Sequence, residues 1–287
     1  MRAVAALAVA IHHWLQLADH PLGVWLDTWF SLGHWGVIVF FVISGYIIPV
    51  SAERPAFLMR RVRRIWPLYL ATFGLVVMLQ PFPHSVPPAD ALDLLLNLLL
   101  VHYLFGVESI VPGAWTLSIE LVFYAIAAAL PLTRRPLLAG LGLLLLPMLL
   151  PGTVPLYLSV MGVGLILWAR QEQKISTPAA LALVLIGMLL PLLAPDVRAI
   201  APRVLGVGLA AVALWRPWPP PRALVWLGER SYSLYLLHRV PCALGLAWWL
   251  WLPAAVALAW AGERYIERPT RATRSPASNQ SPPRFRR

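Results

Sequence analysis

Residues 33–50 read GHWGVIVFFVISGYIIPV, an apolar run without Asp, Glu, Lys or Arg that is as long as a membrane-spanning helix. Runs of about 15 to 20 residues of this kind recur from one end of the chain to the other. Of the 287 residues, 60% are hydrophobic and 12% are charged, and the mean hydropathy is +0.72. An average soluble domain has roughly 25% charged residues, so this composition excludes a water-soluble globular protein. It predicts an all-α fold with one membrane-embedded domain over residues 1–270.

The apolar runs and the residues that interrupt them predict a polytopic membrane protein with about ten transmembrane helices. The predicted spans are residues 2–18, 33–50, 65–80, 114–132, 136–150, 154–169, 178–194, 199–215, 223–241 and 243–262. The loop from Ser51 to Arg64 and a disordered basic tail over residues 271–287 are predicted to lie outside the membrane. Residues 91–105 are also apolar, and we interpret them as a re-entrant or interfacial helix. A full crossing there would move the basic connections near residues 134 and 170 to the other side.

The distribution of basic residues predicts the orientation of the chain. A formal net charge of +11 could by itself indicate a nucleic-acid partner. However, 20 of the 23 basic residues lie in alternate connections, at two helix ends or in the tail, and the intervening segments hold Arg198, Arg203 and Arg239. This asymmetry is typical of the positive-inside rule, so we expect both termini in the cytoplasm and no nucleic-acid partner. A strong preference for arginine over lysine suggests a GC-rich bacterial genome. We expect the membrane to be the bacterial inner membrane.

The first predicted helix carries polar side chains at membrane depth, where they are costly and therefore indicate a site. Arg2 and His13 are 11 residues apart, so they share a helix face and lie about 16 Å apart along the axis. His12 points about 100° away from His13. A histidine in a helix bundle is either a hydrogen-bonded core residue or a group that transfers protons near neutral pH, and the sequence leaves both readings open.

The second predicted helix contains Ser44 and Gly45, whose small size favours close helix packing over catalysis. It is followed by the basic stretch FLMRRVRRIWPLYL over residues 57–70. If this stretch is helical, Arg60, Arg61 and Arg64 lie close together and form a cluster suited to bidentate phosphate binding. On composition alone, a solvated loop that only sets the topology is equally consistent.

Two further helices carry polar stripes. Thr116, Glu120 and Tyr124 recur at four-residue spacing, and Glu120 is the only carboxylate that we place deep within a span. A buried carboxylate must be protonated, or paired with a cation or hydrogen-bond donor from another helix. Residues Ser231, Tyr235 and His238 also share one helix face. For Tyr235, packing is the alternative to a functional role.

Five motifs in order resemble the membrane-bound acyltransferase-3 family. They are Arg2 with His13, GVIVFFVISGYII over residues 36–48, RRVRRIWPLYL over 60–70, WTLSIELVFY over 115–124 and SYSLYLLH over 231–238. The resemblance covers about residues 1–131 and 224–269. It implies transfer of an acyl group, often acetyl, from cytoplasmic acyl-CoA to a hydroxyl of a sugar or a glycosylated acceptor. It also implies membrane lipids as surroundings and no permanently bound cofactor.

The resemblance also implies roles for individual residues. His13 is the essential histidine and general base, Arg2 is its companion, and Glu120 is the third catalytic residue. Arg61 and Arg64, helped by Arg60, bind acyl-CoA. We assign the remaining polar side chains of the two stripes to substrate binding: Tyr124, Ser231, Tyr235 and His238. No metal is expected, and the single Cys242 excludes a cysteine-based metal site.

The sequence departs from the family pattern in two places. Thr116 stands where members commonly have Ser, and it keeps the hydroxyl. The chain also begins immediately before Arg2, whereas members usually carry several residues before this position. Either translation starts further upstream, or the site is built without those leading residues.

Two other functions remain open at this point. A transporter or flippase of a polar lipid or solute would also have sparse polar residues at depth. An intramembrane hydrolase would use Ser44 with His238. Neither function gives the arginine cluster a role.

Overall fold

In the computed structural model, the described residues are 1–18, 20–79, 90–189, 200–215 and 219–272, and all regular structure within these ranges is helical. The all-α class predicted from the sequence is thereby confirmed. The helices are α1 (Arg2–Leu17), α2 (Pro21–Trp29), α3 (Leu32–Ala52), α4 (Phe57–Met78), α5 (Ala91–Leu98), α6 (Trp115–Ala129), α7 (Pro136–Leu149), α8 (Thr153–Gln171), α9 (Thr177–Leu189), α10 (Ile200–Trp215), α11 (Arg222–Glu229), α12 (Ser231–Leu237), α13 (Val240–Ala243), α14 (Trp248–Gly262) and α15 (Arg268–Ala272), with a 3-10 turn at His102–Phe105 and a π-helical turn at Glu263–Glu267.

Two helices of the described ranges, α3 with 21 residues and α8 with 19, are long and apolar enough to cross a bilayer by themselves. Helices α6, α7, α9 and α10 are apolar but have 10 to 17 residues. The count of ten spans therefore stays a prediction. Parts of three predicted spans, and most of the predicted tail, fall at 80, 190–194, 199 and 273–287, which lie outside the described residues.

Helix α3 lies at the centre of the bundle because its glycines allow other backbones to approach. A Cβ atom added at Gly45 would lie 1.9 Å from the Met161 carbonyl oxygen of α8. From the other side of the same contact, a Cβ atom at Gly164 would lie 2.0 Å from the Val42 carbonyl oxygen. On α1, the Ala5 carbonyl oxygen would be 2.6 Å from a Cβ atom at Gly36. The packing role predicted for the small residues of the second span is thus confirmed at Gly45.

The close contact at Gly45 predicts that a larger side chain there will strongly destabilise the fold. We expect Gly45→Val to lower the yield of folded protein and the thermal unfolding midpoint in detergent, because helices α3 and α8 must separate to accept any side chain; overpacking typically costs about 1–3 kcal/mol. Gly74→Ala in α4 is the control, since nothing lies within 4 Å of a Cβ atom there. Removing this helical glycine should leave the midpoint unchanged or raise it slightly. Equal midpoints for Gly45→Val and the unaltered protein would contradict the packing described above.

The structure corrects the predicted span 223–241. Instead of one helix, the chain forms α11, α12 and the four-residue α13. The first break falls at Arg230, whose buried guanidinium turns back to donate to the Trp226 carbonyl at 2.6 Å. The second falls before Pro241, which lacks a backbone N–H. The following span is also shorter than predicted, because α14 begins at Trp248 rather than at residue 243.

The predicted loop from Ser51 to Arg64 is also corrected. Helix α3 continues to Ala52 and α4 begins at Phe57, so only residues 53–56 lie between two helices. Ala56 makes this reversal with a left-handed backbone conformation, φ 53° and ψ 36°. The arginines of the basic stretch therefore sit on the first turns of a helix. Segment 91–105, predicted as re-entrant or interfacial, forms the 8-residue α5, which at about 1.5 Å per residue is too short to cross a bilayer.

Several loops that carry basic residues contact one another at one end of the helix bundle. We call this end the basic end. The Thr133 hydroxyl donates to the Glu53 carboxylate, which joins the connection after α6 to the one after α3. Lys174 Nζ, after α8, donates to the Thr133 carbonyl at 2.8 Å. The Arg170 guanidinium lies 4.1 Å from the ring centroid of Trp215. The loops after α3, α6 and α8 are therefore neighbours in the fold. The distribution of basic residues assigns these same loops to one side of the membrane. We call the opposite end the far end.

Candidate active site

A cavity lies between α1, α3, α4, α6 and α12 and extends toward the basic end, where residues of the end of α3 and the start of α4 line it. Seven of the ten site residues predicted from the sequence line this one cavity. They are Arg2, Arg61, Arg64, Glu120, Tyr124, Ser231 and Tyr235. The other three, Arg60, His13 and His238, are not among the lining residues.

Two arginines of α4 form the cationic part of the cavity. Arg61 and Arg64 are three residues apart and share a helix face, while Arg63 between them is exposed and does not line the cavity. The Arg61 guanidinium lies 5.2 Å from the ring centroids of both Phe57 and Tyr124, so aromatic faces fix its position. Arg60 turns elsewhere. Its Nη2 atom donates to the carbonyl oxygens of Ser51 and Arg54 at 3.1 and 3.2 Å and ties α4 to the end of α3.

Glu120 faces this cavity from α6. The Ser44 hydroxyl of α3 donates to Glu120 Oε1 at 3.1 Å, and Tyr124, one turn along α6, shares a side-chain hydrogen bond with the same carboxylate. The expectation that Glu120 has a partner on another helix is met by a hydroxyl group. Arg61 and Arg64 line the same cavity and supply positive charge. Ser44 is a site residue that the sequence reading assigned to packing; its hydroxyl within an apolar run was the available signal.

The Tyr235 side chain closes the cavity toward the far end. Its hydroxyl lies 3.1 Å from the Gly113 carbonyl oxygen and 3.0 Å from Thr116 Oγ1. Thr116 Oγ1 also donates to the Gly113 carbonyl, at 2.9 Å. Gly113 has φ +89°, and a Cβ atom there would lie 3.1 Å from the Tyr235 hydroxyl, so glycine suits this close approach. The phenol is therefore clamped at the start of α6.

Beyond Tyr235 lies a pair of histidines. His13 Nδ1 and His238 Nε2 are 2.9 Å apart, and His238 Nδ1 lies 2.8 Å from the Tyr235 carbonyl oxygen. A carbonyl only accepts, so His238 carries its proton on Nδ1, and Nε2 of the neutral ring accepts from His13 Nδ1. This assignment places the lone pair of neutral His13 on Nε2. The contact joins residues 225 positions apart, so the shared face predicted for Ser231, Tyr235 and His238 did not reveal it.

The structure does not bring together the serine and histidine of the hydrolase alternative. Ser44 donates to Glu120, whereas both ring nitrogens of His238 have partners in His13 and the Tyr235 carbonyl. Within the described ranges there is also no group of three or more His, Cys, Asp or Glu side chains that could hold a metal ion.

A buried ionic cluster outside the cavity lining was missed by the sequence analysis. Arg230 Nη2 lies 3.4 Å from Glu263 Oε2, and Arg268 Nε lies 2.6 Å from Glu263 Oε1. In the same π-helical turn, Glu267 accepts from the Ser233 hydroxyl. Glu263 and Glu267 are 3% and 1% exposed, so Glu120 is not the only carboxylate taken out of water. Their four-residue spacing was the available signal. The hydrogen bond to Glu263 also raises the pKa of the Arg268 guanidinium.

Comparison with known sequences identifies the class of protein. A family model described as "Acyltransferase domain" matches residues 1–262, and the chain therefore belongs to the acyltransferase-3 family. The resemblance inferred from five motifs is confirmed. No solved structure gives a significant match to the chain.

Three curated relatives are similar to parts of the chain. Acyltransferase MdmB of Streptomyces mycarofaciens is 34% identical over 139 residues, covering 43% of this chain and 36% of the relative. Exopolysaccharide production protein ExoZ of Rhizobium meliloti (strain 1021) is 33% identical over 138 residues, covering 40% and 41%. Putative acetyltransferase ORF330 of Acidianus two-tailed virus is 27% identical over 281 residues, covering 83% and 80%. The chain thus spans well under half the length of MdmB and ExoZ.

Proposed function

We propose that this protein is an integral-membrane O-acyltransferase that moves an acyl group, in the simplest case acetyl, from cytoplasmic acyl-CoA to a hydroxyl of a sugar or glycoside. The observation that carries the proposal is the cavity itself, which runs from Arg61 and Arg64 at the basic end to Tyr235, next to the histidine pair. The name of ExoZ, which concerns exopolysaccharide production, supports a carbohydrate acceptor.

The proposed setting is a bacterial inner membrane crossed about ten times, with the basic end and both termini in the cytoplasm. The grouping of Glu53, Thr133 and Lys174 at one end supports this orientation, because it joins three connections that each carry basic residues. Reporter fusions check it: a fusion after residue 54 or at the C-terminus that reports the outside would contradict the orientation. In this setting the arginine-rich tail lies near anionic lipid headgroups.

Acyl-CoA enters the cavity from the basic end. Arg61 and Arg64 bind its phosphates, because guanidinium groups make paired hydrogen bonds to phosphate oxygens. Arg2 lines the same cavity and adds positive charge at this end of α1. The pantetheine arm then extends toward Tyr235, since His13 lies about 16 Å further along the axis than Arg2.

His13 acts as the general base. Its Nε2 accepts the proton of the acceptor hydroxyl while the hydroxyl oxygen attacks the thioester carbonyl carbon. The new C–O bond forms, the C–S bond breaks, and the proton passes on to the departing CoA thiolate. His238 is a positioning residue, because its Nε2 holds the His13 Nδ1 proton and so keeps the basic lone pair on the reacting nitrogen.

Glu120 acts electrostatically inside the cavity. Its carboxylate, held by Ser44 and Tyr124, stands opposite Arg61 and Arg64 and orients them for the phosphates. The substrate-binding roles proposed for the remaining residues differ. Ser231 and Tyr235 line the donor cavity, whereas His238 lies beside His13.

The activity is tested in membranes that contain the protein, supplied with acyl-CoA carrying a labelled acyl group and a simple glycoside. We expect label on the glycoside, with free CoA released in equal amount. Free CoA and free labelled acid without labelled glycoside would indicate a hydrolase. Transport of the glycoside without cleavage of the thioester would indicate the transporter alternative, against which family membership already argues.

The arginine pair predicts a specific loss of donor affinity. We expect Arg61→Ala/Arg64→Ala to bind acyl-CoA about tenfold more weakly or worse, because each charged hydrogen bond is worth about 1.5–3 kcal/mol. The acyl-CoA affinity of Arg64→Lys should lie between those of the unaltered protein and the double variant. An ammonium group keeps the positive charge but cannot make the paired hydrogen bonds of a guanidinium group. Binding is measured by calorimetry on the purified full chain.

The matched control for this experiment is Arg63→Ala, on the same helix turn but exposed and away from the cavity. It should bind acyl-CoA as the unaltered protein does. If the double variant also keeps its affinity, the arginines of α4 serve topology alone.

A further inference from the structure

Arg203 of α10 is a buried cation that the proposed reaction does not yet use. It is 5% exposed, and its Nε and Nη1 atoms have no hydrogen-bond partner among the described residues. A buried charge without a counter-ion costs several kcal/mol, and a buried donor without an acceptor adds to that cost. A bound anion would remove both costs.

The position of Arg203 adds to this anomaly. It is one of three basic residues that fall outside the connections assigned to the cytoplasm. Its helix packs at this level against the start of α3, where a Cβ atom at Gly206 would lie 3.4 Å from the Trp35 carbonyl oxygen. The positive-inside rule disfavours a cation at the far end, so orientation does not explain it.

One aromatic ring lies beside the Arg203 guanidinium, and two more rings lie beside that one. The guanidinium carbon lies 5.9 Å from the ring centroid of Tyr157. The Tyr157 ring in turn lies 5.3 Å from the ring of Trp115 and 5.8 Å from the ring of His34. Flat aromatic faces beside one fixed cation are the lining expected of a site for a polar, ring-shaped ligand that carries a negative charge.

A chain of side-chain contacts leads from the surroundings of Arg203 to His13 and His238. His34 follows Gly33, and a Cβ atom at Gly33 would lie 2.5 Å from the ring of His12. The His12 ring lies 5.6 Å from the ring of His13. From the other side, Trp115 precedes Thr116, which contacts the Tyr235 hydroxyl at 3.0 Å. The cation and the proposed base therefore face the same end of the bundle across neighbouring helices.

We propose that Arg203 binds a carboxylate or phosphate group of the acceptor, and thereby holds a negatively charged sugar with one of its hydroxyls toward His13. This inference rests on the proposed function and narrows its acceptor to acidic or phosphorylated glycosides. Arginine suits the role because its planar fork matches both anions.

The test is binding of simple sugars to the purified full chain, with CoA present at saturation so that the arginines of the donor cavity are occupied. The probes are glucuronate, glucose 1-phosphate and uncharged glucose at equal ionic strength. We expect one or both anions to bind more tightly than glucose, and the preferred anion distinguishes a carboxylate source from a phosphate source. Arg203→Gln should lose this preference, with an affinity for the anion about tenfold lower or worse.

Two further variants keep the test decisive. Arg203→Lys keeps the charge and the fold, and should bind the anion with intermediate affinity. Arg222→Gln, an exposed arginine of α11, should bind as the unaltered protein does. Equal binding of glucose and both anions, or undiminished anion binding by folded Arg203→Gln, would overturn the proposal.

Acyl transfer measured on the same preparations separates the two proposals. Anion binding that depends on Arg203 without any acyl transfer would leave the site standing and refute the proposed function. Acyl transfer to uncharged glycosides that is indifferent to Arg203 would leave the function standing and refute the site.

Discussion

Replacing His13 with glutamine is expected to lower acyl transfer by about 10²–10⁴-fold, the usual contribution of a general base, while acyl-CoA binding is retained. Glutamine preserves much of the side-chain volume and polarity but has no basic nitrogen. Because His13 does not line the donor cavity, the affinity for acyl-CoA should not change. Transfer is followed with labelled acyl-CoA in membranes, and binding by calorimetry on the purified chain.

The neighbouring histidines make this experiment specific. His238→Leu should also reduce transfer strongly, since neutral His13 then loses the acceptor that holds its Nδ1 proton. His12→Gln is the matched control, one residue away and pointing toward Gly33 rather than His238. Full activity of His13→Gln, or equal damage from His12→Gln, would refute the assigned base.

Replacing Glu263 with leucine is expected to lower the free energy of unfolding by about 3–5 kcal/mol, the usual cost of breaking a buried ion pair from one side. The substitution removes the buried carboxylate beside Arg230, which is 4% exposed, and leaves it the 60% exposed carboxylate of Glu229 at 3.5 Å. Arg230 sits between α11 and α12, so the cavity wall that carries Ser231 and Tyr235 should loosen as well. The measurement is the denaturant or thermal transition of the purified protein in detergent.

Partner substitutions give the controls for Glu263. Arg268→Gln should cost little, because 46% of the Arg268 side chain is exposed and surface pairs contribute about 0–1 kcal/mol. The double variant Arg230→Met/Glu263→Leu should recover most of the stability, since it removes both buried charges together. A single Glu263→Leu variant as stable as the unaltered protein would show that Arg230 does not depend on this pair.

Periodicity and hydropathy predict much of this molecule, because they depend on residues close in sequence. The all-α class followed from the length and spacing of the apolar runs. The shared cavity of Arg61, Glu120 and Tyr235 followed from polar residues at three- and four-residue spacing, since any polar stripe at depth must turn inward.

Contacts between distant segments account for what could not be predicted. Arg230, at the break between α11 and α12, pairs with Glu263, which lies three helices further along the chain, and the apolar pattern of residues 223–241 does not predict this pair. Arg60 has the same local pattern as Arg61, yet the reversal at Ala56 brings backbone carbonyls within its reach and removes it from the cavity. The hydrogen bond between His13 and His238 joins the two ends of the chain and leaves no signal in either motif.

The hydrogen bonds that hold Tyr235 also affect whether protons can leak across the membrane. In the proposed orientation, a cavity lined with ionisable groups opens to the cytoplasm and reaches toward a histidine pair near the opposite surface. Histidines, hydroxyls and water in one continuous file would conduct protons and dissipate the electrochemical gradient across the membrane. While no acyl-CoA fills the cavity, the phenol of Tyr235, held by Gly113 and Thr116, interrupts that file with a packed aromatic ring. In that orientation, the ring would keep the electrochemical gradient intact between rounds of acyl transfer.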